Sequence, residues 1–143
     1  MGKSLGKILV FALVGLSTAL FDRHLQICNR GGRGVSCDCV APVGKGNCLD
    51  ASQKAYNRCV KADNTLTLQK CKERAESISN QKLRGIVFAD FKDNRACSIL
   101  FDVGVDLENN CPTDFNKVTG FLGSGRVNSA DNSSAEITCC RCE

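Results

Sequence analysis

The sequence has very few aromatic and imidazole side chains. It contains no tryptophan, one tyrosine (Tyr56) and one histidine (His24) among 143 residues. His24 lies close to the N-terminus, where chain segments are commonly mobile, and a general base must be held in place. This argues against Ser-His-Asp and Cys-His catalysis and against two-histidine metal sites. The scarcity of aromatic side chains also predicts a thin apolar core, so the fold needs another source of stability.

The sequence also lacks an apolar run of the roughly 20 residues that a membrane helix needs. Its longest uncharged apolar run, Ile8–Leu16, follows Lys3 and Lys7 and precedes the small residues Ser17–Ala19. This order of charge, apolar run and small residues is typical of a secretory signal cleaved after Ala19. An uncleaved signal anchor is the alternative, but the charges at positions 22 and 23 end the apolar run too soon.

Cleavage leaves residues 20–143, which is enough chain for a single secreted, extracellular domain. It removes two lysines and lowers the net charge from +4 to about +2, far from the basic excess of a nucleic-acid-binding protein. The short stretch NRGGRG at 29–34 is predicted to be a solvated loop. We therefore expect no nucleic-acid partner and no membrane span.

Cysteine is the abundant residue. All eleven cysteines follow the predicted cleavage site, a density typical of secreted disulfide-linked domains. Zinc is the alternative, but zinc sites use C-x-x-C pairs, and the chain has only C-x-C and C-C-x-C spacings. We expect disulfides, no cofactor, and bridges formed among Cys28, Cys37, Cys39, Cys48, Cys59, Cys71, Cys97, Cys111, Cys139, Cys140 and Cys142.

Eleven is an odd number, so five bridges leave one cysteine over. That residue either links two chains, giving a disulfide-linked homodimer, or stays free and buried. Residue spacing does not identify it. Cys37 and Cys39 should point to the same side of an extended segment and bridge to two different places.

Sequence periodicity predicts an α+β fold with a cysteine-tied N-terminal loop, a helical hairpin and a small antiparallel sheet. Residues 25–47 are rich in Gly, Asn, Pro and Cys and are predicted to be irregular. A first helix is predicted to begin at Asp50, which forms a capping-box pattern with Gln53. Apolar residues at positions 51, 55, 59 and 62 follow at helical spacing.

The second helix of the hairpin is predicted from an apolar stripe at positions 68, 71, 75 and 78, with Gly85 as its C-terminal stop. Cys59 and Cys71 both lie on apolar stripes and should face the core. A division into a helical part, 20–85, and a β part, 86–143, is the alternative to a single domain.

Strands are predicted after residue 85. Residues 97–108 alternate apolar and polar side chains, with Gly104 as a bulge or early turn. Ile86–Phe91 is predicted to be the neighbouring strand, joined through a turn at 92–94. Two short segments should flank a glycine turn at 123–125. Residues 136–142 are predicted to close the sheet, with Cys140 and Cys142 on one face and Cys139 on the other.

Two ligand or modification sites are suggested by short patterns. Asp102, Asp106 and Glu108 alternate as calcium ligands can, although the glycine and the final glutamate of an EF-hand are missing. The alternative is the polar face of a strand followed by a turn. Asn132-Ser133-Ser134 is an N-glycosylation sequence in a polar stretch. The glycines of GFLGSGR, 120–126, do not match a phosphate-binding loop and are predicted to be turn residues.

Three functional classes fit these observations. We favour a non-enzymatic secreted protein that acts in extracellular binding or as a structural component of extracellular matrix or exoskeleton. The alternative is a secreted effector, meaning a toxin or defence protein. A small hydrolase using paired carboxylates is the third, weakened by the lack of aromatic residues to form a sugar-binding cleft.

Overall fold

The computed structural model describes residues 34–143, and these form an antiparallel sheet with two helices. The longer strands are β4 (Asn57–Ala62), β5 (Leu83–Phe91), β6 (Asn94–Phe101) and β9 (Ile137–Cys142). The helices are α1 (Leu68–Glu76) and α2 (Leu107–Asn110). The short strands are β1 (Cys37–Asp38), β2 (Gly44–Lys45), β3 (Cys48–Leu49), β7 (Asn116–Val118) and β8 (Ser129–Ala130).

All pairings in the main sheet are antiparallel, and its strand order is β1-β9-β5-β6-β4-β7. Strand β2 also pairs with β9, so β1 and β2 lie along the same side of that strand. A separate two-stranded sheet joins β3 to β8. Strands from both sides of position 85 therefore pair within one sheet.

The sheet buries side chains on both faces, as alternation along its strands requires. One face, covered by α1, holds Ile86 and Phe88 of β5 and Cys97, Ile99 and Phe101 of β6. The opposite face carries a smaller cluster formed by Cys48, Tyr56, Val87, Leu100, Val127 and Cys139.

The predicted helical hairpin is not confirmed, because its first helix is absent. Asp50 and Gln53 lie in a turn, and Gln53 has a positive φ of 62°. Residues 57–62 form β4, which pairs with β6 on one side and β7 on the other. Cross-strand pairing therefore overrides the helical spacing of the small residues in this segment.

The second helix is present but ends earlier than predicted. Thr67 caps α1 by accepting a hydrogen bond from the Lys70 N–H, and the helix ends at Glu76. Gly85 is not its stop but lies inside β5. There the main chain of β9 comes so close that a Cβ on Gly85 would lie 2.7 Å from the Cys140 carbonyl oxygen. A glycine is required by this close approach.

The β predictions are largely confirmed. The predicted neighbour strand and closing strand correspond to β5 and β9, and β5 joins β6 through a two-residue turn at 92–93. The alternating segment is a strand only as far as Phe101, after which the chain turns at Gly104 (φ 90°) and enters α2. No strands flank the glycine turn at 123–125, which lies in irregular chain.

Five disulfides link the elements: Cys37–Cys142, Cys39–Cys140, Cys48–Cys139, Cys59–Cys111 and Cys71–Cys97. The prediction of a disulfide-rich domain is thereby confirmed. As predicted, Cys140 and Cys142 belong to the face covered by α1 and Cys139 to the other. Cys28, His24 and the predicted signal segment lie outside the described residues.

Candidate functional site

A groove of about 340 Å³ lies beside the N-terminal end of α1. This volume is at the low end of the ~300–1,000 Å³ range of small-molecule sites. Two rows of cross-strand neighbours contribute to it. In the first row Lys45 of β2 is paired with Thr138 of β9, and Thr138 with Phe88 of β5. Cross-strand partners project from the same face, so these side chains lie next to one another.

The second row of the groove is charged. Asp90 of β5 is paired with Arg95 of β6, and their side chains form an ion pair with an N–O distance of 2.8 Å. On the other side of Asp90, its backbone N–H donates to the Glu136 carbonyl. The lining is completed by Thr67, Leu68 and Ala135.

The charges of the groove are not all neutralised by one another. Within residues 34–143 neither Lys45 nor Glu136 forms an ion pair. Lys45 Nζ instead donates to the Thr138 hydroxyl at 3.3 Å. The Glu136 carboxylate accepts from the Ser134 hydroxyl at 2.8 Å. The groove thus carries one cation and one anion whose charges are exposed to solvent.

The glycine turn at 123–125 is held by a buried polar network on the opposite face of the sheet. The Ser124 N–H donates to Asp50 Oδ2 at 3.0 Å, and the Gly125 N–H donates to Asp102 Oδ1 at 2.8 Å. The Tyr56 hydroxyl donates to the Gly125 carbonyl at 2.8 Å. The N–H groups of Ser124 and Gly125 and the Gly125 carbonyl are therefore each fixed by a partner distant in sequence.

The two carboxylates of this network are stabilised in their charged form. Burial alone would raise the pKa of Asp50, but the N–H groups of Lys54, Ser124 and Ser52 hold it below its usual value. Burial would likewise raise the pKa of Asp102, but hydrogen bonds from Arg84 and the Gly125 N–H lower it. Arg84 contacts both Asp102 oxygens, at 2.8 and 2.9 Å.

The pKa of Tyr56 is shifted in the opposite direction. Burial, reinforced by the negative charges of Asp50 and Asp102, raises the pKa of its phenol to about 12. A neutral hydroxyl that donates to a carbonyl is the form the surroundings favour. Both carboxylates have their oxygens occupied by donors, so the arrangement fits a structural clamp better than a general acid–base pair.

The three predicted calcium ligands each interact with a different partner. Asp102 is bound to Arg84, Asp106 caps α2 by accepting from the Glu108 N–H, and Glu108 forms an ion pair with Lys117 at 3.3 Å. No group of three or more His, Cys, Asp or Glu side chains in residues 34–143 is arranged to hold a metal ion.

The predicted glycosylation residue Asn132 is exposed in a turn and has a positive φ of 57°. Its neighbour Asp131 fixes this turn by accepting from the Asn47 and Ser133 N–H groups. Asn132 is therefore an exposed residue in a fixed segment, and attachment of a glycan requires such exposure.

Sequence reasoning missed both the groove and the clamp around the glycine turn. Their members lie far apart in the chain, and strand pairing in the groove and long-range hydrogen bonds in the clamp bring them together. The single tyrosine was a usable signal, because a buried tyrosine usually needs a hydrogen-bond partner. Nothing in the local sequence distinguishes Lys45 or Glu136 from ordinary surface charges, and the capping-box pattern at Asp50 indicated a helix instead of a contact with the glycine turn.

No family model matches the chain, and neither a curated protein nor a solved structure shows significant similarity to it. The function is therefore inferred from the residues and fold of this chain. Five disulfides fit a small extracellular cysteine-rich protein. In the part of the chain that the structure describes, no helix is long and apolar enough to cross a membrane.

Proposed function

We propose that this protein is a secreted, non-enzymatic binding domain that acts in the extracellular space as part of a matrix or exoskeletal assembly. The observation that carries the proposal is the disulfide framework, which links both helices and the chain before β2 to the central strands. Such crosslinks belong to oxidising compartments and preserve a rigid surface where the core is small.

The state of the carboxylates supports a non-enzymatic role. A hydrolase of the carboxylate type needs two acid groups free to exchange protons with a substrate. The carboxylates of the buried Asp50 and the half-buried Asp102 are occupied by backbone N–H groups and Arg84. We therefore assign them to holding the glycine turn.

The odd number of cysteines supplies a means of covalent assembly. Ten of the eleven cysteines pair with one another, so Cys28 is the odd residue. A covalent link to a second chain would have to use it. This supports an assembling component over a secreted effector that acts as a single molecule.

The test is to express the full chain in secreting eukaryotic cells and ask where the protein goes. We expect folded protein in the medium that binds saturably to isolated extracellular matrix, and loss of that binding after reduction and alkylation. Retention inside the cell would contradict secretion. Secreted protein without saturable matrix binding would contradict the assembly role and favour the effector alternative.

A further inference from the structure

We propose that the groove beside α1 binds a zwitterionic ligand, namely a free amino acid or short peptide with an apolar side chain. The inference rests on the proposed binding function and names its ligand class. It is carried by the juxtaposition of Lys45, Glu136 and an apolar surface at Phe88 and Leu68 in one groove.

The acidic side of the groove is short of positive charge. The Asp90 N–H donates to the Glu136 carbonyl, which places Asp90 of β5 beside Glu136, the residue just before β9. Among residues 34–143, Arg95 is the one cation that forms an ion pair with either of them, and it contacts Asp90. Like charges beside each other across a sheet are destabilising, so a ligand ammonium group next to Glu136 would relieve the repulsion.

The basic side of the groove lacks an acid. Lys45 lies two strands away from Asp90, and within the described residues its ammonium group donates to the Thr138 hydroxyl and to no carboxylate. A ligand carboxylate could accept from this ammonium group with no competing acid to displace. The N-terminus of α1 is not needed for this contact, because Thr67 already accepts from the Lys70 N–H.

The apolar contact in the groove is offered mainly by Leu68. Phe88 is 4% exposed and belongs to the core, and Leu68 is half-buried at the start of α1. A ligand with charge of only one sign would face an uncompensated like charge at one side of the groove. An α-amino acid carries both charges on one Cα, so its ammonium and carboxylate can face Glu136 and Lys45 while its apolar side chain contacts Leu68.

The experiment is an NMR titration of the ¹⁵N-labelled, oxidised full chain with L-leucine. N-acetyl-L-leucine, which lacks the cation, and L-leucinamide, which lacks the carboxylate, serve as matched probes. We expect saturable shifts of amides around the groove with leucine and at least tenfold weaker binding of each singly charged probe. Tenfold corresponds to about 1.4 kcal/mol, a reasonable contribution for one charge contact.

Substitutions then assign the two charges. Lys45→Met should weaken leucine binding while leaving leucinamide binding unchanged. Glu136→Gln should also weaken leucine binding, while leaving N-acetyl-leucine binding unchanged. Lys92→Met in the β5–β6 turn and Glu73→Gln on the exposed side of α1 are the controls and should leave binding unchanged.

The proposal is overturned if leucine causes no groove shifts up to about 20 mM, well beyond a millimolar Kd. Shifts elsewhere on the domain would also overturn it, as would equal binding of all three probes. Because the titration uses purified protein, its failure leaves matrix binding of the secreted chain untouched. Conversely, loss of matrix binding with intact leucine binding would reject the proposed function and not the groove.

Discussion

At the scale of single residues, polar side chains hold the irregular segments of the chain in place through hydrogen bonds. Every buried side-chain nitrogen and oxygen in residues 34–143 has a hydrogen-bond partner. Asp50 is the clearest case, since its carboxylate is 4% exposed and accepts three backbone N–H bonds. A buried carboxylate is tolerated because these donors replace the water it loses.

Tyr56 provides a direct optical test of the buried network. It is the only tyrosine in a chain without tryptophan, so phenolate absorbance near 295 nm reports on this residue alone. We expect a midpoint near pH 12 in the folded protein and near pH 10 in denaturant. The neutral phenol then stabilises the fold below pH 10, and that contribution is lost as pH rises towards 12. A folded-state midpoint near 10 would show that the hydroxyl is not held against the Gly125 carbonyl.

Replacing Asp50 by Asn should destabilise the domain and change its response to acid. The new amide N–H₂ cannot accept every backbone N–H that the carboxylate does, so one or more donors lose their partner. We expect a loss of about 1–3 kcal/mol at neutral pH, measured by urea unfolding with disulfides intact. Asp93→Asn, in the exposed turn between β5 and β6, is the control and should change stability by under about 0.5 kcal/mol.

The pH dependence has a definite sign. The pKa of Asp50 is lowered in the folded state, so its contribution is present above the unfolded pKa near 4 and disappears as pH falls further. The difference in the free energy of unfolding between the unchanged protein and D50N should therefore become smaller below about pH 4. A difference that stays constant or grows in acid would mean that Asp50 is not charged in the fold.

At the scale of elements, the prediction from sequence succeeded where local pattern and pairing agree. The strand ending at Phe101 alternates in sequence and pairs with the strand ending at Phe91 apart from one register irregularity between Leu83 and Gly85, and the turn between the two strands is short. Residues 50–62 carry helical spacing of small residues, yet Cys59 lies in a strand and bonds to Cys111. Small residues fit either element, so partners distant in sequence decided the outcome.

Helix α1 depends on its crosslink. A nine-residue helix is marginal alone, and α1 buries only Cys71 and Ala75. Replacing both Cys71 and Cys97 by Ala should lower the free energy of unfolding by about 3.5 kcal/mol, as expected for a loop of this length. Hydrogen exchange should show the largest loss of protection in α1, with β5 and β6 amides less affected.

The matched control removes a different bridge. Replacing Cys59 and Cys111 by Ala should leave α1 protection close to that of the unchanged protein and raise exchange around α2 instead. If the Cys71/Cys97 variant lost protection first in the central strands, α1 would not be the element that this bridge maintains.

At the scale of the whole molecule, three bridges converge on β9. Cys139, Cys140 and Cys142 link this strand to positions 91 to 105 residues earlier in the chain. Between β1 and β2 the chain leaves the edge of β9, and Val40 in this segment is 96% exposed. Short, interrupted edge strands resist pairing with other chains, so assembly through a free sheet edge is disfavoured.

Assembly through Cys28 is consequently the route we expect. In the unchanged chain, disulfide-linked dimers should be seen on non-reducing gels, and they should disappear in Cys28→Ser. Since the other ten cysteines pair internally, the variant should remain a folded monomer in which alkylation before reduction labels no thiol. Binding to extracellular matrix should weaken in the variant, because a dimer presents two copies of each surface and gains avidity. An unchanged chain that is secreted only as a monomer with one free thiol would contradict covalent assembly and leave each domain to bind alone.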